Sequence, residues 1–118
     1  MVERNEAPRG LVMHGFGAGS EQVTAAFRSA GNAAKALPGA VIELVIQGPA
    51  VAALVIDGEL AAPVAAALGN GVAVLACENS MRSAGVDRGS LLPGVASVPS
   101  AVAHLAQRQW DNWAYARV

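Results

Sequence analysis

Short apolar runs alternate with helix-spaced segments along the whole chain. Leu11-Val12-Met13-His14 reads as a first buried strand and leads into the glycine loop Gly15-Phe16-Gly17-Ala18-Gly19. Ser20 supplies an N-cap with Glu21 in the first turn. Val23, Phe27, Ala30, Ala34 and Leu37 then recur at helical spacing until Pro38-Gly39 stops them. Val41-Ile42-Glu43-Leu44-Val45-Ile46, rich in β-branched residues, predicts a central strand that breaks at Gly48-Pro49. Short helices are predicted over residues 50–54 and 60–68, then the turn Gly69-Asn70-Gly71. The next apolar run, residues 71–76, is closed by Cys77. A helix from about Ser80 to Gly85 follows, with Asn79 or Ser80 as its cap, and residues 95–98 return as a strand. Ser100 caps a helix reaching about Trp110 that carries Val102, Leu105 and Ala106 on one face, and residues 113–118 alternate as a final edge strand.

Strand alternating with helix predicts an α/β fold, a three-layer α/β/α sandwich around a mainly parallel sheet of about five strands. Right-handed crossovers place helices on both faces. Residues 1–8 read as a loose arm and residues 9–118 as one domain. Ligands of such sheets bind outside the carboxyl ends of the strands. His14 with its glycine loop, Gly48-Pro49 and Cys77-Glu78-Asn79 all fall on that rim.

Composition narrows the picture. Hydrophobic residues make up 53% of the 118 and charged ones 14%, so apolar surface must be covered on both sheet faces or at subunit contacts. The basic residues are scattered from Arg4 to Arg117, which gives nucleic acid no stripe to bind. Glu43, Gln47, Asp57, Glu59, Gly48-Pro49 and Pro63 cut the apolar segment 40–68 into pieces too short to span a bilayer. The polar start with Pro8 does not read as a signal peptide, and a cytoplasmic location is expected. A single cysteine excludes an internal disulfide, and one cysteine with two histidines shows no metal-ligand spacing. The glycine loop has Ser20 where a dinucleotide fingerprint needs its third glycine, Gln47 where it needs an acid, and no P-loop lysine. It reads as a tight turn, so no cofactor or metal is expected.

Candidate chemistry centres on Cys77. A thiol at a strand-to-helix junction lies near unpaired backbone N–H groups, which favour the nucleophilic thiolate. Arg82, one turn further on, acts in the same direction, while Glu78 beside the sulfur opposes it. His14 on the same rim is a candidate base or proton relay for the thiol. The alternative for Cys77 is a small buried hydrophobe, and for His14 a strand-end histidine satisfied by backbone groups. His104 lies off the Val102–Leu105 face and is expected to be solvated. Trp110, Trp113 and Tyr115 concentrate the aromatics at the end of the chain, at a subunit contact or over the core edge.

Across Ala76-Cys77-Glu78-Asn79-Ser80-Met81-Arg82, Gly85-Val86-Asp87 and Leu91-Leu92-Pro93-Gly94-Val95, the chain resembles the DsrE/DsrF-like (YchN-like) family of small sulfur-relay α/β proteins. The second strand with its Gly48-Pro49 exit, His14, Val98-Pro99-Ser100 and the closing Trp113-Ala114-Tyr115-Ala116-Arg117 extend the likeness over most of the chain. The resemblance implies a parallel-sheet sandwich, a trimeric or hexameric homo-oligomer, and a cysteine that carries sulfur as a persulfide. Only Cys77 is available for that role. The family's cysteine-glycine-asparagine-threonine pattern stands here as Cys77-Glu78-Asn79-Ser80, and without a second cysteine the relay needs an outside thiol.

Two functions follow as expectations. In one, Cys77 accepts sulfane sulfur from a donor persulfide and passes it to a partner thiol, with Asn79 and Ser80 shaping the loop, Arg82 offsetting charge and His14 moving a proton. In the other, the protein is a non-catalytic oligomeric module that binds a small ligand or a protein at the strand edge. Residues 50–68 and 110–115 are the segments expected at subunit contacts.

Overall fold

The computed structural model describes residues 9–118; the arm expected over residues 1–8 lies outside them. Strands β1 (Gly10–Phe16), β2 (Val41–Gln47), β3 (Val72–Cys77), β4 (Ala96–Val98) and β5 (Ala114–Arg117) form one sheet. Its order is β4-β3-β2-β1-β5, and every neighbouring pair is parallel. The helices are α1 (Ser20–Ala36), α2 (Ala61–Gly69), α3 (Glu78–Ala84) and α4 (Ala101–Trp110), with 3₁₀ turns at Pro49–Leu54 and Arg88–Ser90. The three-layer sandwich and the final edge strand are as expected.

Alternation along each strand divides the core in two. Val72, Val74 and Ala76 of β3, with Ile42, Leu44 and Ile46 of β2, meet Val23, Phe27, Leu54, Val64 and Met81 on the face that carries α1, α2 and α3. Leu75 and Cys77, with Val12, Val45 and Val98, meet Ala101 and Leu105 of α4 on the other. The first face is fully clad. A single helix covers the second, and Phe16 and Tyr115 stay 48% and 41% exposed there.

Connectivity explains the split. Steps from β1 to β4 all run one way across the sheet, so right-handed crossovers keep their helices on one face. The step from β4 back to β5 runs the other way and carries α4 to the opposite face. Adjacent strands β3 and β4 therefore send the chain to opposite sides. Ligands of open parallel sheets bind at such a switch point.

Several local expectations are corrected. Gly19, not Ser20, is the N-cap of α1; its N–H donates to Gln22 Oε1 at 3.1 Å, and Ser20 already belongs to the helix. Leu37 is the exposed C-cap rather than part of the buried stripe. Helix α3 begins at Glu78 with Cys77 as its N-cap, because the strand turns into helix without an intervening loop. On α4 the buried positions are Ala101 and Leu105, while Val102 is 64% exposed. Within residues 50–68, Val51, Leu54, Leu60 and Val64 are buried in the core, while Ile56 is 57% exposed. The glycine loop is a packing device. Gly48 has φ +90°, and a Cβ there would stand 3.1 Å from Gly17 O and 3.3 Å from the Phe16 ring.

Candidate functional site

Cys77 ends β3, Val98 ends β4, and the two are paired in register at the switch point. The thiol points to the α4 face and is 2% exposed. Ser100 caps α4, accepting from Ala103 N–H at 3.2 Å, and this sets the helix's first amide above the sulfur. Ala101 N–H donates to Cys77 Sγ at 3.4 Å. Asn79 and Ser80, the second and third residues of α3, are the other groups that act on the thiol. Burial pushes the thiol's pKa up, but the Ser80 hydroxyl, followed by the amides of Ser80, Ala101 and Asn79, more than offsets it and leaves the pKa below the ordinary thiol value. Ser80 Oγ accepts from Gly48 N–H at 2.9 Å, which ties the start of α3 to the loop after β2.

The structure thus brings Cys77, Asn79 and Ser80 together. It leaves Arg82 and His14 outside. Arg82 is exposed and donates to Asn79 Oδ1, so it reaches the thiol's surroundings only by holding Asn79. Glu78, expected to oppose the thiolate, turns to the sheet edge. It accepts from Ser97 Oγ at 2.6 Å, lies 3.8 Å from Arg88, and is not among the groups that set the thiol's pKa. His14 is on the thiol's face but two strands away, about 10 Å across the sheet. Its Nε2 donates to Gln47 Oε1 at 2.7 Å, so Nδ1 accepts from the Tyr115 hydroxyl at 3.1 Å. Both ring nitrogens are engaged, and neither touches sulfur.

A cleft of about 330 Å³ opens on the rim between the loop after β2 and α3, lined by Gly48, Pro49, Asn79, Ser80, Ser83 and Ala84. Ser80 belongs both to this cleft and to the thiol's surroundings. It is the side chain that joins them.

A second polar cluster lies under α4. Glu43, mid-strand in β2, is 7% exposed and accepts from His104 Nε2 at 2.6 Å and from Arg108 Nε and Nη2 at 3.0 and 2.7 Å. Burial raises the Glu43 pKa, yet the bonds from Arg108 and His104 hold the carboxyl below its usual range. His104 is therefore a hydrogen-bond donor to a buried carboxylate rather than a solvated residue. Arg108 in turn lies 4.5 Å from the centre of a Trp113 ring. The available sequence signal was a carboxylate inside an apolar strand run together with a histidine and an arginine four apart on one helix.

A parallel five-stranded sheet with helices on both faces, an α/β/α sandwich, defines the structural class. The chain is 33% identical to MTH1491 from Methanobacterium thermoautotrophicum, a protein of unknown function, over 93% of this chain and 99% of that one, with a TM-score of 0.85. The YchN protein from E. coli superposes with a TM-score of 0.78 at 19% identity, over 93% of this chain and 99% of its own. BT1422 from Bacteroides thetaiotaomicron, also of unknown function, does so at 0.70 and 14%, over 92% and 94%. No protein-family profile matches the chain, and neither does any curated protein. The chain belongs to one family with MTH1491 and has the YchN-like fold. Among its described residues, no helix is long and apolar enough to cross a membrane.

Proposed function

We propose that the protein is a cytoplasmic sulfur carrier and that Cys77 holds sulfane sulfur as a persulfide. The observation that carries this reading is the α4 amide of Ala101 donating to a buried sulfur that sits directly at the start of α3, an arrangement that favours its anion. The Cys77 thiolate attacks the terminal sulfur of a donor persulfide; a new S–S bond forms, the donor's S–S bond breaks, and its electron pair leaves on the donor thiolate. An outside acceptor thiolate then attacks the terminal sulfur of Cys77 and restores the starting thiolate, so no net oxidation occurs. The cleft beside Ser80 is the approach for both partners. The protein acts as a homo-oligomer, trimer or hexamer, with the half-covered α4 face and exposed Trp110 at its contacts. Incubation with a persulfidated donor protein and then a free thiol acceptor tests the cycle by mass spectrometry. Sulfur must pass through Cys77 to the acceptor, and a Cys77→Ser chain must pass none.

One observation favours the non-catalytic reading, a module that binds a ligand or protein at the strand edge: the sulfur is 2% exposed. Alkylation by iodoacetamide across pH separates the two. A carrier labels well below the ordinary thiol pKa; a structural thiol labels slowly at every pH.

A further inference from the structure

The sheet-facing stripe of α4 is Ala101, His104, Leu105 and Arg108. Only two of these seats are apolar. The other two bring hydrogen-bond donors onto a buried carboxylate, where a hydrophobic side chain would hold the helix as firmly. What a fork of Arg108 and His104 on one carboxylate adds is geometry, since it fixes the helix's rotation and its position along the strand together. Ala101 is seven residues from Arg108, two turns back on the same stripe, and its amide is the one α4 donor on the Cys77 sulfur.

We propose that Glu43, with His104 and Arg108, is a positioning device for Cys77: it clamps α4 to β2 and thereby holds Ala101 N–H on Sγ. This rests on the reading of Cys77 as a working thiol, but its test needs no sulfur chemistry. The groups facing Glu43 are His104 and Arg108 on α4, with Asp111 acting on Arg108; its neighbours in β1 and β3 are Val12 and Ala73. Around the thiol, the nearest carboxylate in sequence, Glu78, is turned to Ser97 and Arg88.

The sign of the effect separates positioning from direct electrostatics. Glu43→Gln removes a negative charge and leaves Arg108 positive, so through space it would lower the thiol's pKa. Loosened positioning raises it. Cys77 is the only cysteine, so thiolate absorbance against pH, less that of the matching Cys77→Ser chain, reports this one group. In Glu43→Gln, and in Glu43→Asp, which keeps the charge but shortens its reach, the apparent pKa is expected to rise by about half a unit or more. Val64→Ala, in the core of the opposite face, loosens the fold generally and is expected to leave the value unchanged. An unchanged or lower pKa in the Glu43 variants, or an equal rise in Val64→Ala, overturns the proposal. Circular dichroism identifies any variant that fails to fold. If Glu43→Gln fails, Glu43→Asp decides by the same criterion; if both fail, Arg108→Lys, which keeps the charge and loses the fork, takes their place.

Discussion

Ala101 N–H and Cys77 Sγ stand 3.4 Å apart, although one residue opens a helix and the other closes a strand 24 positions earlier. The contact spans the line where the chain changes faces. It gives the thiol a donor that a mid-strand cysteine would lack, and it makes thiol reactivity depend on where α4 sits. Alkylation of the native protein is therefore expected to reach half its maximal rate at a pH below that of an ordinary thiol. A half-maximum at or above the ordinary value would contradict the acidified thiol. Stability carries the same sign. The folded pKa is depressed, so the native state gains stability as pH rises from the folded to the unfolded thiol pKa, and Cys77→Ser loses that rise.

Ser80→Ala removes the hydroxyl that most favours the Cys77 thiolate and that accepts from Gly48 N–H. The thiol pKa is expected to rise, and stability to fall by about 1 kcal/mol for the amide left without its partner. Thiolate titration and urea unfolding of the variant measure the two effects. A variant that titrates like wild type would remove Ser80 from the site.

Glu43 gives an acid-side prediction. Its carboxyl is held below the usual range in the fold, so its stabilisation is fully present above the unfolded carboxyl's pKa and is lost as pH falls through the folded value. At neutral pH, Glu43→Gln is expected to cost about 2 kcal/mol, because Arg108 and His104 lose the anion that pairs them. The gap from wild type should close as pH drops through the carboxylate range. Denaturant melts at several pH values show this directly; a gap independent of pH would mean that the carboxylate's charge contributes nothing.

Gly48→Ala places a Cβ against Gly17 O and the Phe16 ring at a backbone angle that L side chains rarely adopt. A loss of about 1–3 kcal/mol is expected. Calorimetry should show a lower Tm, and an unchanged Tm would mean that the two loops do not meet as described.

Local signals carried most of the fold into view. The β-branched residues of 41–46, the Pro38-Gly39 stop and the Ser100 cap are decided by neighbours in sequence, and each marks its element. The start of α3 was read two residues late because Asn79 and Ser80 have capping side chains, whereas the true cap is Cys77 at the strand's end. The buried face of α4 was misread because Val102 is more apolar than Ala101; tertiary packing chose the smaller residue to let the helix approach Cys77. Cys77, Asn79 and Ser80 are contiguous, so the heart of the candidate site was legible. Ala101 and the Glu43–His104–Arg108 cluster were not, since those contacts join residues 24, 61 and 65 positions apart. Glu78 and Arg82 show the converse. Close in sequence to the thiol, they spend their charges on Ser97, Arg88 and Asn79.

The central claim is that Cys77 takes up sulfane sulfur, and the intact mass of the folded protein after exposure to excess polysulfide tests it most directly. The expected result is a gain of sulfur on the wild-type chain that a free thiol removes, with no gain on Cys77→Ser. A wild-type chain that keeps its mass while the donor is in excess, or a Cys77→Ser chain that gains the same mass, would contradict it.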